Sequence, residues 1–387
     1  MTPQLWIWLA FVFAFGACIG SFLNVVIYRM PRDLSLVRPG SACPGCGKPI
    51  RFYDNIPIIS WLVLCAKCRH CKTRISPRYF VIEMMTGLLY VGLFVLYFIV
   101  DIRRMSLGDA GNMQAFLDGG WLVYLLHIIL LSGLLAVSAI DLEFWVVPLS
   151  TCWLLTAVGI IGSAAAPLVM DFHVTRHFGL LPHSGAASGA AVVGAAVGLL
   201  ISLGLRRLGV IKESYLAIDT ISAGSNPEVR CDHRREILKE VQFTVPIVLC
   251  SLVAWYLLTR FAAPRDRWLD LTQLPLVSGV LGALAGYFVG GGVVWATRIL
   301  GTLGFGKEAM GMGDVHLMGA AGAFIGPLPV VVAFFVAPFF GLAWAIFQLT
   351  TKKTRQIPYV PFLSLGILAV MIFHDWVFQH LRVLLIR

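Results

Sequence analysis

Apolar stretches of about twenty residues recur along this chain, and they constrain its fold more than any other feature. A helix of roughly 20 residues spans the hydrocarbon core of a bilayer. Inside lipid every backbone N–H and C=O must be satisfied within its own segment, so runs of this length are helices. The sequence predicts spans at 5–28, 79–100, 121–140, 147–168, 184–204, 245–263 and 275–299, followed by 315–327, 329–350 and 361–378. The 315–350 stretch is too long for one span, and GPLP at 326–329 is a turn signal, so it divides into a helical hairpin with a short first arm. The expected fold is an all-α polytopic membrane protein with about 8–10 transmembrane helices. Composition agrees, with 58% hydrophobic and only 13% charged residues, well away from soluble domains.

The net charge of +10 raises the question of nucleic acid. The basic residues sit between apolar runs rather than on one patch, which excludes that partner and points instead to topology. The opening segment is too long for a cleaved signal and lacks a basic flank, and it runs into Arg29 and Arg32. It reads as a retained first span with its N-terminus outside, and most Lys and Arg then fall on the cytosolic side. The expected organisation is a first span at 1–28, a cytosolic domain at 29–78, spans at 79–205, a cytosolic insertion at 206–244 and further spans at 245–387. The insertion carries seven basic and six acidic residues, the mixture of a solvated surface.

Within 29–78, CPGC at 43–46 and CRHC at 68–71 form two CxxC knuckles. Each puts two thiols on one tight turn, and two such turns complete a tetrahedral zinc shell from Cys43, Cys46, Cys68 and Cys71. A domain of about 50 residues has too little core to fold alone, and a structural metal compensates. Four unpaired thiols or a redox pair are the alternatives. With four thiolates the metal site is closed, so zinc here is architectural, in a small zinc-ribbon-like domain.

Two acids stand out at the cytosolic ends of spans. Asp314 lies in GMGDVHLMGA at the mouth of an apolar helix, after Gly311 and Gly313. Asp141, in AIDLEFWVVP, lies at the C-terminal end of the third span, where the helix dipole disfavours a carboxylate. Two aspartates brought together in a low-dielectric cleft cannot both ionise and share one proton, the arrangement of an aspartic protease. The glycines allow close backbone approach and angles closed to other residues. The alternative for Asp314 is an acid that caps a helix N-terminus. Glu143 and Glu308 are rival partners; Glu143 points about 200° away from Asp141 on a helix. The same two acids could instead carry ions or protons through a transporter, and a zinc-bearing scaffold without catalysis is a third reading.

These motifs resemble the type IV prepilin peptidases. GMGDVHLMGAAGAFIG is similar to their GxGD signature, AIDLEFWVVP to their first aspartate motif, and IPYVPFLSLG at 357–366 to their C-terminal span. The stretch from GSFLNVVIYRMPRD through CRHCKTRISPRYFVIEMMTG resembles the N-terminal half of the bifunctional members. The chain departs from the pattern at His316 and Leu149, and 172 residues separate Asp141 from Asp314, far more than is usual. An even number of inserted spans keeps both acids on one side. The resemblance implies an inner-membrane endopeptidase, working at the cytosolic face of the lipid bilayer, that cleaves leaders from type IV prepilins or type II secretion pseudopilins. It also implies N-methylation of the new terminus with S-adenosylmethionine. Glu83, an intramembrane acid in RYFVIEMMTG, is the candidate residue for that second activity, and Asp54 and Asn55 in YDNIP match the family pattern.

Overall fold

The computed structural model describes residues 3–105, 112–171, 179–212, 214, 233–351 and 358–385. Its principal helices are α1 (Pro3–Arg29), α2 (Pro77–Phe98), α3 (Trp121–Phe144), α4 (Leu149–Val169), α5 (Ala186–Arg207), α6 (His233–Arg260), α7 (Ala262–Gln273), α8 (Pro275–Phe305), α9 (Met312–Ile325), α10 (Pro327–Thr351), α11 (Val360–Ile372) and α12 (His374–Leu385). Eight of the described helical segments are long and apolar enough to cross a membrane, and Val360–Ile372 is a shorter apolar helix. The chain is an all-α, multi-pass membrane protein. Residues 213 and 215–232 of the 206–244 insertion, and residues 352–357, lie outside the described residues.

The chain divides into two compact units, Met1–Thr151 with Ala337–Arg387, and Cys152–Val336. In the first unit α1 packs on α2 through small residues. A Cβ at Gly20 would stand 2.7 Å from Glu83 Cα, and one at Gly16 would stand 3.0 Å from Gly87 Cα. This GxxxG spacing brings two backbones together where lipid offers no hydrophobic drive to do so. Asn24 reinforces the contact, donating from Nδ2 to Tyr79 O at 3.1 Å. Leu23, Ile27, Ile82, Ala136 and Ile140 close a core among α1, α2 and α3.

The second unit uses the same device more tightly. Gly194 and Gly198 of α5 lie against α6, where added Cβ atoms would stand 2.2 Å from Cys250 O and 2.3 Å from Pro246 O. Between α8 and α9, a Cβ at Gly286 would fall 1.9 Å from Gly322 O, and one at Gly290 would fall 2.3 Å from Met318 O. Residues Leu317 to Phe324 of α9 are buried almost without interruption. That explains GAAGAFIG: a helix enclosed on every side needs small residues wherever a neighbouring backbone approaches.

Several boundaries differ from the sequence expectation. The hairpin division stands, with α9 ending at Ile325 and α10 beginning at Pro327. The expected 361–378 span breaks at Phe373 into α11 and α12; the break brings in His374 and Asp375, and Asp375 pairs with Arg104 at 2.9 Å. Helix α6 starts at His233, not at 245. Its charged first turns stay helical because their charges are paired, Lys239 with Glu236 at 2.6 Å and Glu240 with Arg298 at 3.0 Å. The polar helix α7 was not expected; Trp268 ties it to α5 by donating from Nε1 to Ala186 O at 2.7 Å.

Candidate active site and cysteine centre

Asp141 lies in the last turn of α3, which ends where Trp145 adopts φ 58° and its N–H returns to Asp141 O. Two residues further on, Glu143 is exposed and pairs with Arg78, whereas Asp141 is buried at 7% exposure. The helical phase therefore separates the two acids as expected. Asp141 Oδ2 accepts from the backbone N–H of Val360 at 3.3 Å. Val360 is the first residue of α11, so the positive end of that helix faces the carboxylate and offsets the adverse dipole of α3. Ser138 and Ser364 meet at 2.8 Å and fix the α3–α11 contact. No signal in the sequence marks Val360 as Asp141's partner, because the two lie 219 positions apart.

Asp314 is the third residue of α9 and is equally buried, at 7%. Its Oδ2 turns back towards the start of its own helix, where a Cβ on Gly311 would stand 3.5 Å away. The two glycines require a correction. Gly311 has φ −71° and ψ 149°, extended backbone open to any residue. Gly313 is helical and is not among the positive-φ glycines. What Gly311 contributes is a missing side chain beside the carboxylate, and neither glycine has an unusual angle. On the same helix His316 packs on Trp153, with ring centroids 5.6 Å apart. Asp141 belongs to the first unit and Asp314 to the second.

The four cysteines do converge. The sulfurs of Cys43, Cys46, Cys68 and Cys71 all lie within 4.8 Å of one another. Tetrahedral zinc–thiolate bonds of about 2.3 Å require sulfurs roughly 3.8 Å apart, and Cys43 and Cys71 stand at 3.7 Å. The knuckles are built alike. In each, the first cysteine N–H donates to the carbonyl five residues on, Cys43 to Lys48 and Cys68 to Thr73. The residue after each second cysteine is left-handed, Gly47 at φ 66° and Lys72 at φ 59°. The Thr73 hydroxyl and backbone N–H pull the Cys71 thiol down to about 6. The backbone N–H groups of Cys71 and His70 lower Cys68 as well. At Cys46 the Lys48 N–H acts in the same direction, but burial and the neighbouring thiols outweigh it and raise the group to about 11. Asp54, held below its ordinary range by Arg69, ties the YDNIP turn to the second knuckle with contacts of 2.6 to 3.1 Å.

Glu83 is buried in α2, and its Oε2 accepts from Ile58 N–H at 2.7 Å. Ile58 has φ 63°, a strained conformation for a β-branched residue, at the N-cap of the short helix Ile59–Val63. The carboxylate thus holds the cysteine-bearing segment onto the α1–α2 pair.

The chain belongs to the type IV leader peptidase family. That family's domain matches residues 238–346, and the bacterial peptidase A24 N-terminal domain matches residues 14–97. The first range holds Asp314 and its glycines; the second holds the four cysteines and Glu83; Asp141 lies between them. A prepilin leader peptidase/N-methyltransferase of Myxococcus xanthus is 39% identical over 193 residues, which make up 49% of this chain but only 45% of that protein. Two relatives are matched over most of their length. A type 4 prepilin-like proteins leader peptide-processing enzyme of Escherichia coli is 26% identical, covering 92% of this chain and 90% of that one. A prepilin leader peptidase/N-methyltransferase of Aeromonas salmonicida is 23% identical, covering 93% and 89%. No solved structure matches the chain significantly.

Proposed function

We propose that this chain is a membrane aspartic endopeptidase that removes the leader peptides of type IV prepilins or type II secretion pseudopilins and N-methylates the residue exposed by the cut. The observation that carries the reading is the burial of the GxGD acid Asp314 at the head of α9, within the segment matched to the family. Asp141, held by the first N–H of α11, is the proposed second acid. Nothing in these matches supports the transporter alternative.

In the proposed reaction the two acids share one proton. The ionised member takes a proton from water as the oxygen adds to the scissile carbonyl, while the protonated member gives its proton to the carbonyl oxygen. Collapse of the resulting diol passes a proton to the departing amine and restores the shared proton. The apparent pKa values belong to the pair. The missing side chain at Gly311 leaves room for a substrate strand beside Asp314. A leader in the cytosol joined to a pilin helix in the bilayer puts the cut at the inner face of the bacterial inner membrane, where the sequence topology puts both acids.

The spacing of the cysteine sulfurs fits zinc, which would be held by Cys43, Cys46, Cys68 and Cys71 as an architectural ion. S-adenosylmethionine would supply the methyl group of the second activity. We assign Glu83 a supporting part in it: its carboxylate is engaged by Ile58 and keeps the cysteine domain on the membrane helices.

The test is cleavage of a purified prepilin by the full chain in detergent, with Asp141→Asn and Asp314→Asn examined singly. Processing that survives either change removes the paired-acid mechanism. Mass spectrometry of the product's N-terminus reads methylation separately. Elemental analysis is expected to give about one zinc per chain, with a sharp fall in Cys43→Ser and Cys68→Ser; a metal-free wild type overturns the zinc assignment.

A further inference from the structure

The second unit carries a buried ionic cluster that the reaction above does not use. Arg298, about three-quarters of the way along α8, is 2% exposed. Its Nε and Nη2 donate to the Glu240 carboxylate of α6 at 3.0 to 3.2 Å. Its Nη1 donates to Glu308 Oε1 at 2.5 Å and to the backbone carbonyl of Met310. Glu240, 4% exposed, also accepts from Trp295 Nε1 at 2.8 Å and from the Ser214 hydroxyl at 3.2 Å.

A buried arginine is poorly explained by stability alone, since apolar residues of similar volume commonly hold a core as well; the better-attested use of such groups is to fix register. Here the register concerns one short segment. Helix α8 ends at Gly306, which adopts φ 65° and returns its N–H to Thr302 O at 2.9 Å. The chain then folds back along α8. Ala309 N–H donates to Thr302 Oγ1 at 3.2 Å, and a Cβ at Gly301 would stand 2.7 Å from Ala309 Cβ. Arg298 takes hold at Met310, and Gly311, the next residue, is the N-cap of α9. Asp314 follows three positions later. The Glu240 and Glu308 carboxylates hold the guanidinium fork from two sides, which orients Nη1 towards the Met310 carbonyl.

We propose that Arg298 is a positioning residue for Asp314: braced by Glu240, it clamps the Met310 carbonyl and Glu308 and so sets where α9 begins and where its acid stands. The proposal rests on Asp314 being a catalytic acid. Lysine at this position keeps the charge but loses the fork, and a displacement of about 1 Å at a reacting group costs on the order of 10²-fold in rate.

The experiment measures kcat and KM for prepilin cleavage by the full-length protein in detergent. Arg298→Lys is expected to lower kcat roughly 10²-fold while KM stays within about threefold, because binding of substrate is not what the clamp provides. Glu308→Gln, at a half-exposed position that the fold tolerates, is expected to lower kcat by about fivefold, the value of one weakened charged hydrogen bond. Amide exchange in both variants is expected to speed up within 306–314 and to stay unchanged at 278–294 of α8. A purely structural role would instead lower the amount of folded protein and leave kcat per folded molecule intact. Wild-type kcat in both variants, with Asp314→Asn inactive, overturns the clamp and leaves the catalytic reading standing. Full activity in Asp314→Asn overturns the catalytic reading itself. Should Arg298→Lys fail to accumulate, unchanged kcat and unchanged exchange in Glu308→Gln overturn the proposal alone.

Discussion

Asp141 and Asp314 are buried to the same extent, yet they sit at opposite ends of their helices. Asp314 stands at the favourable end of its own helix, in the first turn of α9. Asp141 stands at the unfavourable end of α3 and accepts instead from the first N–H of α11, 219 positions further along the chain. Both carboxylates therefore face the positive end of a helix, one its own and one borrowed. The lesson is that similar surroundings for two acids can be built by unlike means. The local version needs only a short motif, whereas the borrowed version depends on a distant segment being delivered correctly.

Experiments can break that comparison at several strengths. If the two acids work as one unit, Asp141→Asn and Asp314→Asn each lower kcat on the order of 10³-fold or more, and the double variant is no worse than either single one. Additive losses in the cleavage assay would mean that the two acids act independently. Next in size is Gly322→Ala. Its Cβ would fall 2.0 Å from Gly286 O, so α9 must move from α8 by about 1 Å, and kcat is expected to fall roughly 10²-fold. Wild-type kinetics in that variant would show that the close α8–α9 packing is dispensable for Asp314. Ser364→Ala removes the bridge to Ser138 beside the borrowed helix end. A loss of about 1 kcal/mol there corresponds to roughly fivefold in kcat, measured with the folded fraction held constant. The smallest effect is expected at Glu143→Gln, which removes an exposed pair with Arg78. Such pairs contribute about 0–1 kcal/mol, so melting temperature and cleavage rate should both stay near wild type, and inactivity would make Glu143 a rival to Asp141.

Much of this was legible from residue order. The spans follow from apolar runs, and the hairpin turn follows from Gly326 and the prolines around it. The cysteine centre follows from two CxxC turns, whose local hydrogen bonds already aim each pair of thiols. Asp314 stands out because its motif is contiguous. Other features were not legible, and each for the same kind of reason. Charges in His233 to Glu240 read as part of the solvated insertion ahead of the span, but Arg298 of α8 and the Glu236–Lys239 pair satisfy them, so α6 already begins there. Gly311 and Gly313 read as unusual backbone, but their angles are ordinary. Nothing in the residue order singles out Arg298. Glu83 read as an intramembrane acid and a candidate for the second activity, but its contact with the strained Ile58 had no signal in the sequence.

The sequence by itself determined the class of fold, the approximate spans, the two cysteine knuckles and the local setting of Asp314, because each depends on residues within a turn or two of one another. Only the tertiary structure decided what faces Asp141, what anchors the loop ahead of α9 and what Glu83 holds. Those contacts join residues 10 to 219 positions apart. Such pairings come from the packing of whole helices, in which a buried polar group must find a partner, and no local pattern in the sequence says which partner that will be.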